Sequence, residues 1–487
     1  MLFNSIDFAI FLPVVFILYW FVTNKSYRLQ NILLLLASYF FYGCWDWRFL
    51  FLLAFSTFLD YFTGFKIHNA ATARHRKLWL VISVVVNLGF LGVFKYYNFF
   101  ANSFADLLRL FGLNPTVTTL KLVLPVGISF YTFHGLSYVF DVYNKKIKPT
   151  VNWVDYALFV SFFPLLVAGP IERATHLLPQ VEHPRRFDYA KAVDGLRQIL
   201  WGLFKKIVIA DNCAQYANMI FDNADKYYGS TLVLGALLFA FQIYGDFSGY
   251  SDIALGTARL FGFELLQNFK FPYFSRNIAE FWRRWHVSLS SWFRDYLYIP
   301  LGGSRGNIWM TIRNTLIIFL VSGFWHGANW TFIVWGALHT LYILPSVIFK
   351  TNRTHLDIVA KGKLLPSFKE IRDMTLTFSL TVFAWIFFRA GNLTQAVSYV
   401  RRMLGKLLSK SALTETIEML YWKIGFLLPA LIAVFMIIEW IGREHKFAIE
   451  HWGRSWPSGL RWTFYYIVII AIFLFMGQKQ QFIYFQF

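Results

Sequence analysis

Along this chain, apolar residues come in long unbroken runs, and polar residues gather in short patches between them. Runs such as "FAIFLPVVFILYWFV" and "RWTFYYIVIIAIFLFM" approach the ~20 residues a helix needs to cross a bilayer. About ten to twelve such runs are spread over the whole length. Unpaired backbone groups are too costly in hydrocarbon, so the runs predict helices or a closed barrel. Continuous patterning, without two-residue alternation, favours helices. The first run has no basic segment before it and no small-residue cleavage site after it, which predicts a retained span.

Two segments break the pattern. Residues 170–200 and 270–313 are too polar to span yet too aromatic for ordinary loops. In the second, Trp282, Trp285, Leu289, Trp292, Phe293 and Tyr296 fall on one helical stripe, and His286 sits on that stripe four residues after Trp282. This predicts an amphipathic helix lying in an interface or re-entering the protein. No internal repeat, low-complexity tract or long linker interrupts the chain. The expectation is one integral-membrane domain over residues 1–487, with an aromatic tail at 477–487.

Composition sharpens this reading: 57% of the 487 residues are hydrophobic, 21% aromatic and 15% charged, where water-soluble domains carry ~25% charge. The two cysteines, Cys44 and Cys213, form neither a disulfide framework nor a zinc pattern, so no metal is expected. A net charge of +20 could suggest nucleic acid, but no groove-reading element accompanies it. The positive-inside rule explains the charge better. Lys25 and Arg28 follow the first apolar run, Lys66, Arg74, Arg76 and Lys77 the third, and Lys145, Lys146 and Lys148 the fifth. That alternation places the amino terminus outside the cytoplasm. Arg443, Lys446, Arg454 and Arg461 before the last run place the tail outside as well.

Ionisable groups at membrane depth are costly, so each is a candidate for function. His326, in "SGFWHGANWTFIVWGALH", lies between two apolar runs, and Gly323 and Gly327 bracket it. It is either a proton acceptor suited to neutral pH or a core histidine satisfied by its neighbours. On a continuous helix, His339 would lie ~20 Å further along and on another face, outside a His326 site. His286 could meet His326 only through folding. Asp246 and Asp252 in "YGDFSGYSDIALG", with Asp60, Asp141, Glu172 and Arg173, read as hydrogen-bonding or ion-pair residues. No P-loop, dinucleotide fingerprint, H-E-x-x-H, C-x-x-C or serine elbow is present, which argues against nucleotide hydrolysis, hydride transfer and metalloprotease chemistry.

Four ordered stretches carry a resemblance: "LPVGISFYTFHGLSYVFDVY", "FFPLLVAGPIER", the run from "YGDFSGYSDIALG" through "FWRRWHVSLSSWFRDYLYIPLGGSRG", and "FWHGANWTFIVWGALH". The chain resembles the membrane-bound O-acyltransferases, in the bacterial branch of the alginate O-acetyltransferase membrane subunit. The resemblance implies an all-α polytopic protein of about eleven spanning helices around a tunnel, with re-entrant helices, in the bacterial inner membrane. It implies that His326 matches the essential histidine and His286 the second histidine of this branch. It also implies acetyl-CoA as donor, no permanently bound cofactor, and an extracytoplasmic partner of the SGNH esterase type that modifies a polysaccharide. Arg283, Arg284 and Arg294 become candidates for the donor phosphates, Asn329 for an oxyanion contact, and Trp325 for the tunnel wall along with Asp246 and Asp252.

Under that resemblance the closing "QFIYFQF" acquires a role, because a related wall-alanylation system supplies a tyrosine-bearing aromatic tail on a separate small protein. A phenol, with a pKa near ~10, is easier to deprotonate than a serine hydroxyl and leaves more readily as its anion. Tyr484 could therefore accept an acyl group from a thioester and pass it on. The other reading is an interfacial aromatic anchor. Competing functions are a D-alanyl relay fed by a carrier-protein thioester and a transporter for a lipid-linked sugar.

Overall fold

The computed structural model describes residues 1–166, 169–407, 409–477 and 480–483. Every regular element among them is helical. The chain divides into two compact units, Met1–Ala192 with Thr257–Leu266, and Val193–Gly256 with Gln267–Phe487.

Among the described residues six helices are long and apolar enough to cross a membrane: Phe49–His68, Ala73–Leu110, Gly229–Leu260, Ile308–His326, Trp330–Ile348 and Phe368–Arg389. The count rises to seven if Lys410–Ile424 and Leu427–Gly442, bent by 89°, act as one span. This falls short of the ten to twelve apolar runs for a physical reason. Several runs form shorter helices, such as Trp153–Leu166 and Ser458–Leu474. Others spend their apolarity on the protein interior: of the helix Ile128–Tyr143, all but Phe140 and Tyr143 are buried.

In the first unit two buried carboxylates, Asp60 and Glu172, find partners. Asp60 accepts from Ser83 at 2.7 Å and Asn87 at 2.8 Å. Glu172 holds His176 at 2.8 Å and accepts the Leu266 N–H at 2.5 Å. These are the hydrogen-bonding roles expected of membrane-depth carboxylates.

In the second unit, close helix contacts depend on missing side chains. Ile308–His326 and Trp330–Ile348 form an antiparallel hairpin. A Cβ on Gly323 would lie 2.2 Å from the Phe332 carbonyl oxygen, and one on Gly336 2.3 Å from that of Phe319. Gly202 and Gly249 similarly let the Tyr189–Leu203 and Gly229–Leu260 helices touch backbone to backbone, since either Cβ would meet the other's carbonyl oxygen within 2.7 Å.

Candidate functional site

The polar stretch 270–313 does not form the single amphipathic helix its stripe predicts. Helix Ile278–Arg284 stops, and Val287–Phe293 begins after a sharp turn with His286 as its N-cap, in the left-handed region at φ 42°. Such a φ is costly for a residue other than glycine and persists only when its surroundings impose it. Asn268 supplies that constraint. Its carbonyl accepts the Val287 N–H at 2.9 Å, and its side-chain oxygen accepts the Ser288 hydroxyl at 2.5 Å. The turn swings His286 out of the stripe and buries it to 1% exposure. Its Nδ1 accepts the Leu289 N–H at 3.4 Å, which leaves the ring proton on Nε2.

His326 is the last residue of Ile308–His326 and is 4% exposed. Trp325 neighbours both histidines, its ring centre 6.2 Å from His286 and 4.9 Å from His326. Trp335 and Phe388 close the other sides of His326 at 5.1 and 5.2 Å. Folding thus brings His286 and His326 around one tryptophan, although 39 residues of sequence lie between them.

The continuous helix that would carry His339 away from His326 does not exist. The chain breaks at Gly327–Asn329 and turns back, so both rings touch Trp335, His339 at 4.9 Å. His339 accepts the Trp282 indole N–H on Nδ1 at 3.3 Å, while its Nε2 has no hydrogen-bond partner among the described residues. Asn329 caps the second arm of the hairpin. Its Oδ1 takes the Thr331 N–H at 3.0 Å, and its amide donates to the Gly391 carbonyl at 2.6 Å.

Of the three donor-phosphate candidates, two are engaged with the 350–357 loop. Arg283 donates to the carbonyls of Asn352 and His355 at 2.7 Å each. Arg284 pairs with Glu280 at 2.8 Å and donates to the Asp357 carbonyl. Arg294 is exposed and pairs with its neighbour Asp295. In the same loop, hydrogen bonds from Arg276 hold the Asp357 carboxyl below the usual carboxylate range.

Asp246 and Asp252 have lysine partners that sequence reasoning missed. The π-helical turn Phe204–Ala210 carries Lys205 and Lys206, which pair with Asp252 at 2.5 Å and Asp246 at 2.7 Å. Lys206 also reaches Asp211 at 2.7 Å. Buried Glu439 accepts from Trp201 and Tyr244. The rule that singled out Asp246 would have found Lys205 and Lys206 inside "LFKKIVIA" and Glu439 inside "IIEWIG".

Tyr484 lies outside the described residues. The residues just before it are described and buried, Phe482 at 0% and Ile483 at 1% exposure. Phe482 packs on Tyr250 at 4.4 Å and on Phe247 at 6.1 Å, and Phe247 in turn lies edge-on to His286 at 4.7 Å. Among the described residues one group, His445, Glu450 and His451, has donor atoms close enough to share a metal ion; it includes none of the residues above.

Residues 130–376 match the family model of MBOAT, the membrane-bound O-acyltransferase family. The "Probable alginate O-acetylase AlgI" of Pseudomonas aeruginosa is 43% identical over 398 residues, 81% of this chain and 73% of that protein. The peptidoglycan O-acetyltransferase of Helicobacter pylori is 37% identical over 434 residues, 83% of this chain and 80% of that protein. The teichoic acid D-alanyltransferase of Bacillus subtilis is 29% identical over 282 residues, 54% of this chain and 68% of that protein.

Proposed function

We propose, from the premise that this chain belongs to the membrane-bound O-acyltransferase family and is a multi-pass membrane O-acyltransferase, that it takes an acetyl group from cytoplasmic acetyl-CoA and relays it through Tyr484 to an extracytoplasmic partner. That partner, of the SGNH esterase type, then acetylates an envelope or secreted polysaccharide, and the chain resides in the bacterial inner membrane with both termini outside the cytoplasm. The observation that carries the reading is the burial of Phe482 and Ile483, with Phe482 packed on the aromatic wall that also contacts His286.

The chemistry divides between the histidines. His326 accepts the phenolic proton as the Tyr484 oxygen attacks the thioester carbonyl. His286, with its proton on Nε2, donates a hydrogen bond to the oxyanion. Collapse of the intermediate breaks the carbon–sulfur bond, and the His326 imidazolium protonates the departing thiolate. The products are acetyl-tyrosine and free CoA. The ester then passes to a partner hydroxyl, restoring the phenol. Because the phenolate is a good leaving group, the second transfer retains much of the thioester's driving force.

The test is to incubate purified protein with isotope-labelled acetyl-CoA and map covalent label by peptide mass spectrometry. Label is expected on Tyr484 in the wild type and absent from Tyr484→Phe. Polysaccharide acetylation proceeding at full rate in Tyr484→Phe would eliminate the relay.

His286→Asn separates the turn from the chemistry. Asparagine caps helices well and tolerates a left-handed φ, so the fold should hold. Loss of the oxyanion donor should lower turnover about 10²–10³-fold, read as acetyl-CoA consumption under saturating donor. Turnover within threefold of wild type would remove His286 from the mechanism.

The D-alanyltransferase similarity favours one second reading, a D-alanyl relay drawing on a carrier-protein thioester. Higher identity over longer alignments to O-acetyltransferases supports acetyl. Turnover of free acetyl-CoA without any carrier protein discriminates between the two.

A further inference from the structure

The ion pairs beneath the Tyr189–Leu203 helix do more than neutralise one another. Asp246 uses its two carboxylate oxygens for different partners. Oδ1 takes the Lys206 ammonium at 2.7 Å, and Oδ2 accepts the backbone N–H of Ile483 at 2.7 Å. Lys206 donates at 3.4 Å to the carbonyl of Gln480, three residues earlier in the same segment. The ammonium is braced from the far side by Asp211. Five residues before Gln480, the Phe475 carbonyl accepts from Asn212 at 3.3 Å. Segment 480–483 is therefore gripped by its main chain, a carboxylate on an N–H and an ammonium on a carbonyl, while Phe482 fills the aromatic wall of Tyr250 and Phe247.

A main-chain grip of this kind fixes position along the segment without depending on side-chain identity. Charge-assisted hydrogen bonds are roughly twice as strong as neutral ones, and the low dielectric of a buried site strengthens them further. We propose that Lys206 and Asp246 form a binding site for the protein's own segment 480–483 and act as positioning residues that present the next residue, Tyr484, to the histidine pair. The presentation of Tyr484 rests on the relay reading above; the binding site does not.

The two can be tested separately with Ile483→Pro. Proline removes the Ile483 N–H that Asp246 accepts and leaves both side chains of the Lys206–Asp246 pair in place. Ile483→Val keeps the N–H and serves as the conservative rescue. The first readout is the rate at which trypsin, cutting after Lys479 in detergent-purified protein that elutes as a single species, releases peptide 480–487. Loss of one hydrogen bond to a charged group should speed release about tenfold to a hundredfold in Ile483→Pro, with Ile483→Val close to wild type. Equal release from the proline and valine variants would overturn the binding site.

The second readout is acetyl label on Tyr484. A drop of tenfold or more in Ile483→Pro, restored in Ile483→Val, is the expected result. Unchanged label in the proline variant would overturn the positioning role. Absence of label in the wild type would overturn the relay and with it the presentation of Tyr484, while the release rates would still decide whether the segment is held.

Discussion

His326→Ala is expected to reduce acyl transfer by about 10³-fold or more, with acetyl-CoA affinity little changed. General bases contribute ~10²–10⁴-fold, and among the described residues no other imidazole stands in the same place. His286 packs on Trp325 and His339 on Trp335, indoles that also pack on His326, so each of the three imidazoles has its own place in the aromatic packing. The measurement is single-turnover consumption of labelled acetyl-CoA, with donor binding recorded in parallel. A loss confined to affinity, or activity within tenfold of wild type, would mean that His326 is a core histidine and the base lies elsewhere.

Gly336→Ala should cost more stability than any other single methyl group added to this hairpin except one at Gly323 or Gly327. The new Cβ would sit 2.3 Å from the Phe319 carbonyl oxygen and 2.9 Å from its carbon, both backbone atoms that no side-chain rotation can move away. Overpacking ordinarily costs about 1–3 kcal/mol, and here relief requires the two helices to separate. Separation would also draw Trp335 away from His326, so activity should fall with stability. Gly89 provides the contrast. It lies in Ala73–Leu91 with nothing within 4 Å of its Cβ position, so Gly89→Ala should be neutral or stabilising by about 0.5–1 kcal/mol. Thermal unfolding in detergent, followed by the loss of monodisperse protein, measures both. Equal midpoints for the two variants would show that the hairpin is not held by close backbone contact.

Several features of the site are legible in the chain. A histidine or carboxylate set in an apolar run stands out because burying an ionisable group is costly, and His326 and Asp246 declare themselves on that ground alone. Lys205 and Lys206 stand out on the same ground, but which acid each one meets is not written in the run and is decided by the π-helical turn. The stripe from Trp282 to Tyr296 is a sound helical pattern, and its residues are largely buried as expected. The break at His286 is not visible in it, because the constraint comes from Asn268, a residue outside the stripe.

By itself the sequence determined the class of structure: unbroken apolar runs leave backbone groups no partner in hydrocarbon except within the helix, so a helical membrane protein follows from local physics alone. It also marked which side chains are able to take or give a proton, since residue type sets that capacity. Tertiary structure alone decided which of these side chains meet. The reversal at Gly327–Asn329, the left-handed turn at His286 and the seating of residues 480–483 on Asp246 each depend on contacts between distant segments, and no local pattern encodes a contact whose partner lies elsewhere in the chain.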